Sequence, residues 1–248
     1  MDIYAILLPP AGIWLLLMLD WAVLLPSKTG DETIRHTRGV YLFLSALLAV
    51  YAWIITVLSP GEWAWARLMF PVAMTLSWAG DLFNAEVPAI HRRVGGDHNA
   101  LLASTVPFSL AHAAYTAGMI GFGGAGIFLF GWWALAAFAL LAISTLSWRF
   151  SFYDPRVQKR HVSFGMLAYG CVIALMCAFA VSGMIRYGGW WLMIASGAIL
   201  FMLSDAILGM TRLRERRIRF WNQYCWALYL LGQCMMQAGF AMLFVPAG

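Results

Sequence analysis

A succession of long apolar stretches, parted by short polar breaks, constrains this chain more than anything else in it. A window of about 19 residues, the scale of a membrane crossing, finds eight of them. They lie near 4–25, 39–58, 67–87, 100–120, 122–147, 162–185, 189–210 and 222–245. About 20 apolar residues in a helix span the hydrocarbon core of a bilayer, so each stretch reads as one crossing. Only 11% of the 248 residues are charged, against about 25% in a soluble domain. The predicted fold is therefore all-α: a polytopic membrane protein with eight transmembrane helices in one bundle. A single integral membrane domain fills residues 1–248, with no room for a soluble one. The opening Met1-Asp2-Ile3-Tyr4 lacks the basic region of a signal peptide, so the first stretch is read as a retained span.

The basic residues test this count. The connections one–two, three–four, five–six and seven–eight carry all but two of the 16 Lys and Arg, the exceptions being Arg67 and Arg186. The positive-inside bias then puts those four connections in the cytoplasm and both termini on the other side, in the inner membrane if the source is bacterial. A miscounted helix would scramble this alternation. The net charge of +5 is accordingly an orientation signal beside anionic lipid headgroups, and no nucleic-acid partner is expected. The partner is the lipid bilayer, and the spacing leaves the oligomeric state open.

Three aspartates fall inside spans: Asp20, Asp81 and Asp205. An ionisable group in hydrocarbon is costly unless it faces a cavity or a partner, which makes each a candidate functional residue. All three lie about 15–17 residues along helices of the same direction, hence at similar depth, given a rise of about 1.5 Å per residue. Asp20, near a helix end beside Trp21, reads as a snorkelling residue. Helix three adds Ser77, one turn before Asp81, and Asn84, three residues after it. Helix four adds His112 and Tyr115 on one face, and helix eight adds Tyr229, Gln233 and Gln237 at intervals of four. Interhelical hydrogen bonding is the plain alternative for Tyr115 and Gln237.

Several chemistries lack their residues. The only lysines, Lys28 and Lys159, lie in loops, so no retinal-type Schiff base has a candidate. A three-histidine zinc site is short of ligands, since His112 alone among the histidines lies within a span. The four cysteines sit in apolar segments without a CxxC and read as small buried hydrophobes. No G-x-S-x-G, H-E-x-x-H or P-loop pattern is present.

Four motifs occur in order: Ser77-Trp78-Ala79-Gly80-Asp81, Phe108 to His112 and Tyr115, Gly197 through Phe201 to Ser204-Asp205, and Tyr229 to Gln233. In these the chain resembles the YhhN family of multi-helix membrane proteins, which includes the lysoplasmalogenases. The resemblance is strongest over residues 67–240. It departs from the family at Arg38-Gly39, where Lys-Pro is frequent.

The resemblance implies hydrolysis of the vinyl ether of a lysoplasmalogen, a lyso-ether phospholipid, to a fatty aldehyde and a glycerophospho-alcohol. The residues suit that reaction. It begins with proton transfer to an alkene carbon and passes through an oxocarbenium ion that water captures. One carboxylic acid and one carboxylate in a shared low-dielectric cavity meet that need, because two like charges so placed do not both ionise readily. The expected pair is Asp81 and Asp205, with His112 and Tyr115 orienting water or the glycerol oxygen and Gln233 on the headgroup side. No metal and no cofactor is required. Coupled carboxylates titrate as a pair, so the sequence assigns neither as the acid. The same aspartates would serve a proton- or ion-coupled transporter, and the Gly/Ser-Asp endings of helices three and seven hint at a four-helix repeat. A non-catalytic assembly protein is the third reading.

Overall fold

Backbone amides and carbonyls in hydrocarbon must bond within their own segment, and a helix does this without a partner. The computed structural model describes residues 3–24, 30–59, 64–85, 93, 97–127, 131–153, 160–214 and 220–244. Eight long helices account for nearly all of them: α1 (Ile3–Leu19), α2 (Gly30–Leu58), α3 (Ala64–Asn84), α4 (Asp97–Gly123), α5 (Gly131–Ser147), α6 (Arg160–Tyr187), α7 (Trp191–Arg214) and α8 (Trp221–Leu243). No strand occurs among the described residues. Six are long and apolar enough to cross a membrane on length and composition alone; α3 and α4 fall short of that apolarity. These two carry Asp81, His112 and Tyr115, all buried against neighbouring helices. Of the orienting basic residues, Lys28, Arg92, Arg156, Lys159, Arg216, Arg217 and Arg219 lie outside the described residues.

Two boundaries differ from the sequence expectation. Helix α2 starts at Gly30 rather than near 39, which brings His36 into the helix. The break between the fourth and fifth stretches, expected at Gly121 between 100–120 and 122–147, falls later: α4 runs on through Gly123, Gly124 takes φ +58, and α5 begins at Gly131. The reason is packing. A Cβ on Gly121 would lie 2.5 Å from that of Ala66, and one on Gly118 would lie 2.7 Å from the Phe70 ring. These glycines let α3 and α4 approach closely, as small residues do between membrane helices.

The neighbour pattern repeats with a shift of four helices. α3 packs closely on α4 and α7 on α8; α2 meets α3 and α6 meets α7; α4 meets α6 and α8 meets α2; α1 lies on α2 and α5 on α6. Among the described residues the symmetry breaks where α1 also packs against α8. Helix α8 is thereby central and α5 peripheral: 72% of the apolar span of α8 is buried in the bundle against 6% of that of α5. The α7–α8 contact is backbone on backbone, since a Cβ on Gly197 would lie 2.5 Å from the Gly232 carbonyl oxygen. Phe70, Phe201, Phe240 and Met176 fill the core around it.

Candidate functional site

Gly80 lies under the Phe108 ring, where a Cβ would approach within 2.6 Å, so α4 presses the turn that carries Asp81 into the bundle. Asp81 is buried. Its Oδ2 accepts two hydrogen bonds, from Ser45 Oγ of α2 at 2.6 Å and from Tyr229 Oη of α8 at 2.7 Å. The second aspartate is held differently. Asp205 Oδ2 accepts a short hydrogen bond from Tyr169 Oη of α6, and Ser204 Oγ lies 3.5 Å from its Oδ1. Asp205 is only partly buried.

The two carboxylates meet across one cleft between α3, α4, α7 and α8, about 20 Å³ in volume, which also takes in Asn84, Arg212, Asn222 and Tyr229. Two further voids reach Asp205. A small one of about 10 Å³ runs past Asn84, Ser104 and Tyr169. A larger one of about 150 Å³ opens between α5, α6 and α7, where Ile143, Met166, Ile173, Met202 and Leu203 form an apolar wall. Asp205 is common to all three, and Asp81 lines only the first. The site is therefore apolar on the α5 side of Asp205 and polar on the α8 side.

His112 reaches the aspartates through an intermediary. It is fully buried, with Nε2 3.1 Å from Tyr169 Oη and Nδ1 3.2 Å from Met176 Sδ. The Tyr169 proton goes to Asp205, so the network makes His112 Nε2 the donor to the tyrosine oxygen. His112, Tyr169 and Asp205 thus form one directed chain from α4 through α6 to α7.

Tyr115, Gln233 and Gln237 form a separate group. Gln237 Nε2 donates to Tyr115 Oη at 2.8 Å, and Tyr115 Oη donates to Gln233 Oε1 at 2.7 Å. Ser77 Oγ and Gln233 Nε2 are buried polar atoms without a hydrogen-bond partner among the described residues. Asp81, Asp205, Asn84 and Tyr229 are brought together in the cleft; Ser77, Tyr115, Gln233 and Gln237 do not line it.

Asp20 corrects one expectation. It does not snorkel: it is 7% exposed, and its Oδ1 pairs with His36 Nε2 at 2.7 Å. A π-helical turn at Asp20–Leu24 ends α1 there. Trp21 Nε1 donates to Tyr41 Oη beside it at 3.0 Å. Ser45 and Tyr169 had no signal of their own, since other hydroxyl-bearing residues recur along α2 and α6 and no spacing sets these two apart. Arg212 was hidden among the orienting charges. All four cysteines are free thiols, and Cys177, Cys225 and Cys234 are buried as small hydrophobes. Among the described residues no cluster of three or more His, Cys, Asp or Glu is arranged to hold a metal ion.

Comparison with known proteins bears on the same segment. The profile of the YhhN family matches residues 37–240, which takes in Asp81 and Asp205, the whole of α3 to α7 and most of α2 and α8. No curated protein and no solved structure matches the chain.

Proposed function

The chain belongs to the YhhN family, and from that premise we propose that it is a membrane-embedded hydrolase that cleaves the vinyl ether of a single-chain ether phospholipid. The observation that carries this reading is the pair of carboxylates on one cleft, with Asp205 lining both that cleft, which has polar side chains on its far side, and a separate apolar cavity. A lyso-ether lipid has the same polarity profile: a hydrocarbon chain, then the vinyl ether, then glycerol and a charged headgroup. Burial of the chain in the α5–α6–α7 cavity sets the vinyl ether beside Asp205.

In this reading Asp205 is the acid, because it alone lines the cavity that takes the chain. Its proton passes to the alkene carbon remote from the ether oxygen, and the adjoining carbon becomes an oxocarbenium centre. Asp81, fixed by Ser45 and Tyr229, faces that positive charge as a carboxylate and takes a proton from the attacking water. The water oxygen bonds to the oxocarbenium carbon and gives a hemiacetal. The hemiacetal C–O bond then breaks: the glycerol oxygen leaves with the Asp81 proton, and the hydroxyl proton of the departing aldehyde restores Asp205. Atoms and charge balance with one water consumed. General acid–base steps of this kind contribute about 10²–10⁴ in rate each. Tyr169 contacts Asp205 directly, and His112 is a positioning residue that acts through Tyr169.

A second reading draws on the polar group of Tyr115, Gln233 and Gln237, continuous along α8 with Tyr229, and on the four-helix repeat. Both suit a proton- or ion-coupled transporter. The experiment that separates the two uses purified protein. The hydrolase releases fatty aldehyde from a lyso-vinyl-ether phospholipid in detergent, and Asp205→Asn stops it. Aspartate-dependent flux in proteoliposomes without aldehyde release would favour transport.

A further inference from the structure

Asp205, Leu208 and Arg212 stand at i, i+3 and i+7 on α7, so they share a face of the helix. All three line the cleft that holds Asp81. Arg212 lies about 10 Å beyond Asp205 along the axis. Helical side chains lean toward the N-terminus, the direction in which Asp205 lies along α7. The guanidinium lies 5.7 Å over the ring of Trp221 at the start of α8, which limits its rotation. One residue on, Asn222 accepts a hydrogen bond on Oδ1 from Trp226 Nε1 at 3.1 Å. With that oxygen engaged, the free face of the Asn222 amide toward the cleft is its NH₂ donor, and Asn84 adds a second amide from α3.

A planar cation braced by an aromatic ring, with two amides beside it, fits the geometry of phosphate recognition better than a point charge would. Its place in the fold agrees. It stands on the polar side of Asp205, opposite the apolar cavity, where a three-carbon glycerol spacer carries a headgroup away from a vinyl ether. A phosphodiester brought near two carboxyl groups also needs a compensating cation.

We propose that Arg212, with Asn84 and Asn222, is the seat for the phosphodiester of the lipid substrate and makes the site select charged lyso-ether lipids over uncharged alkenylglycerols. This rests on the hydrolase reading for the position of the chain. The basic run that ends the seventh span then has two parts: Arg212 faces the site, and the residues after it orient the chain in the bilayer.

The test measures binding, so that it stands apart from catalysis. Purified protein in nanodiscs is titrated with a saturated alkyl-ether lysophosphoethanolamine, which cannot be hydrolysed, and with the alkylglycerol of the same chain length. Glycerophosphoethanolamine and inorganic phosphate serve as chain-free probes. The wild-type protein is expected to bind the phosphodiester lipid at least about tenfold more tightly than the alkylglycerol, the scale of one charge-assisted bidentate contact. Arg212→Gln is expected to reduce that ratio to about threefold or less, and Arg212→Lys to leave an intermediate ratio. Equal affinity of the wild type for the two lipids overturns the proposal without any variant. So does an unchanged ratio in Arg212→Gln, which would make Arg212 a structural partner of the cleft. Chain-free phosphate that binds as tightly as the lipid overturns the lipid assignment and leaves a free-phosphate site. If the preference holds while no ether lipid releases aldehyde, the hydrolase reading fails and the seat stands.

Discussion

Asp81 and Asp205 sit in related helices of a repeated pattern, and their surroundings have diverged. Asp81 is 1% exposed and takes two hydroxyl donors from two helices on a single oxygen. Asp205 lines three voids and takes its close hydrogen bond from one tyrosine. The equivalent donor helices are α2 for Asp81 and α6 for Asp205. The serine of one has its counterpart in the tyrosine of the other, and only that tyrosine is tied to a histidine. In the proposed reading one carboxyl group is built into the protein and the other is presented to the substrate. On that reading two identical side chains acquire two roles from their neighbours, and the variants below break that division in order of expected effect.

Asp205→Asn is expected to lower kcat for aldehyde release by about 10³-fold or more with little change in thermal stability, since general acid catalysis is lost while the shape is kept. Asp81→Asn is expected to be nearly as severe in kcat and to destabilise as well, by about 1–2 kcal/mol, because the two buried hydroxyls that share one carboxylate oxygen are left with a neutral amide oxygen, a weaker acceptor. Thermal unfolding in detergent, run beside the assay, reads the difference. Equal stability of both variants would remove the contrast between a built-in and a presented aspartate.

Tyr169→Phe is expected to reduce kcat by about 10–100-fold, and His112→Ala by a similar factor. The double variant should be little worse than either single one, because residues in one hydrogen-bonded chain do not add. Additive losses would mean that His112 acts on its own.

Gly170→Leu should raise KM by about tenfold, the scale of a methylene or two in an apolar pocket, with kcat little changed. Even a Cβ at this position would lie 2.6 Å from Ser144 Oγ across the lateral cavity, so bulk there closes the wall beside the chain. A shortened lipid chain should recover part of the loss, and no recovery would argue against this cavity as the chain site. Gln237→Leu, outside the cleft, should change aldehyde release by less than about threefold, as an interhelical hydrogen bond in a membrane protein is worth little. A large loss there would favour conduction through the polar group on α8.

The helices and the two aspartates were legible in the sequence for one physical reason: hydrocarbon makes every apolar run conspicuous and every charge within one an exception. The partners were not. Ser45 and Tyr169 are ordinary in their own helices and become significant only when α2 meets α3 and α6 meets α7. The same holds for Asp20 and His36, which looked like a span end and a loop until α2 proved to begin at Gly30. The break expected at Gly121 is displaced because glycine serves both turns and close packing, and only the Trp65 ring and Ala66 methyl group facing it separate the two. Arg212 carries the same charge as its neighbours, and its position over Trp221 distinguishes it.

The central claim is that a carboxylic acid of the pair protonates a vinyl ether on carbon. Hydrolysis in D₂O tests it most directly, with the released aldehyde analysed by mass spectrometry. Purified wild-type protein should give aldehyde carrying one deuterium on the carbon next to the carbonyl, and Asp205→Asn should give no product above the background without enzyme. Aldehyde without deuterium at that carbon, or undiminished release from Asp205→Asn, would contradict the account.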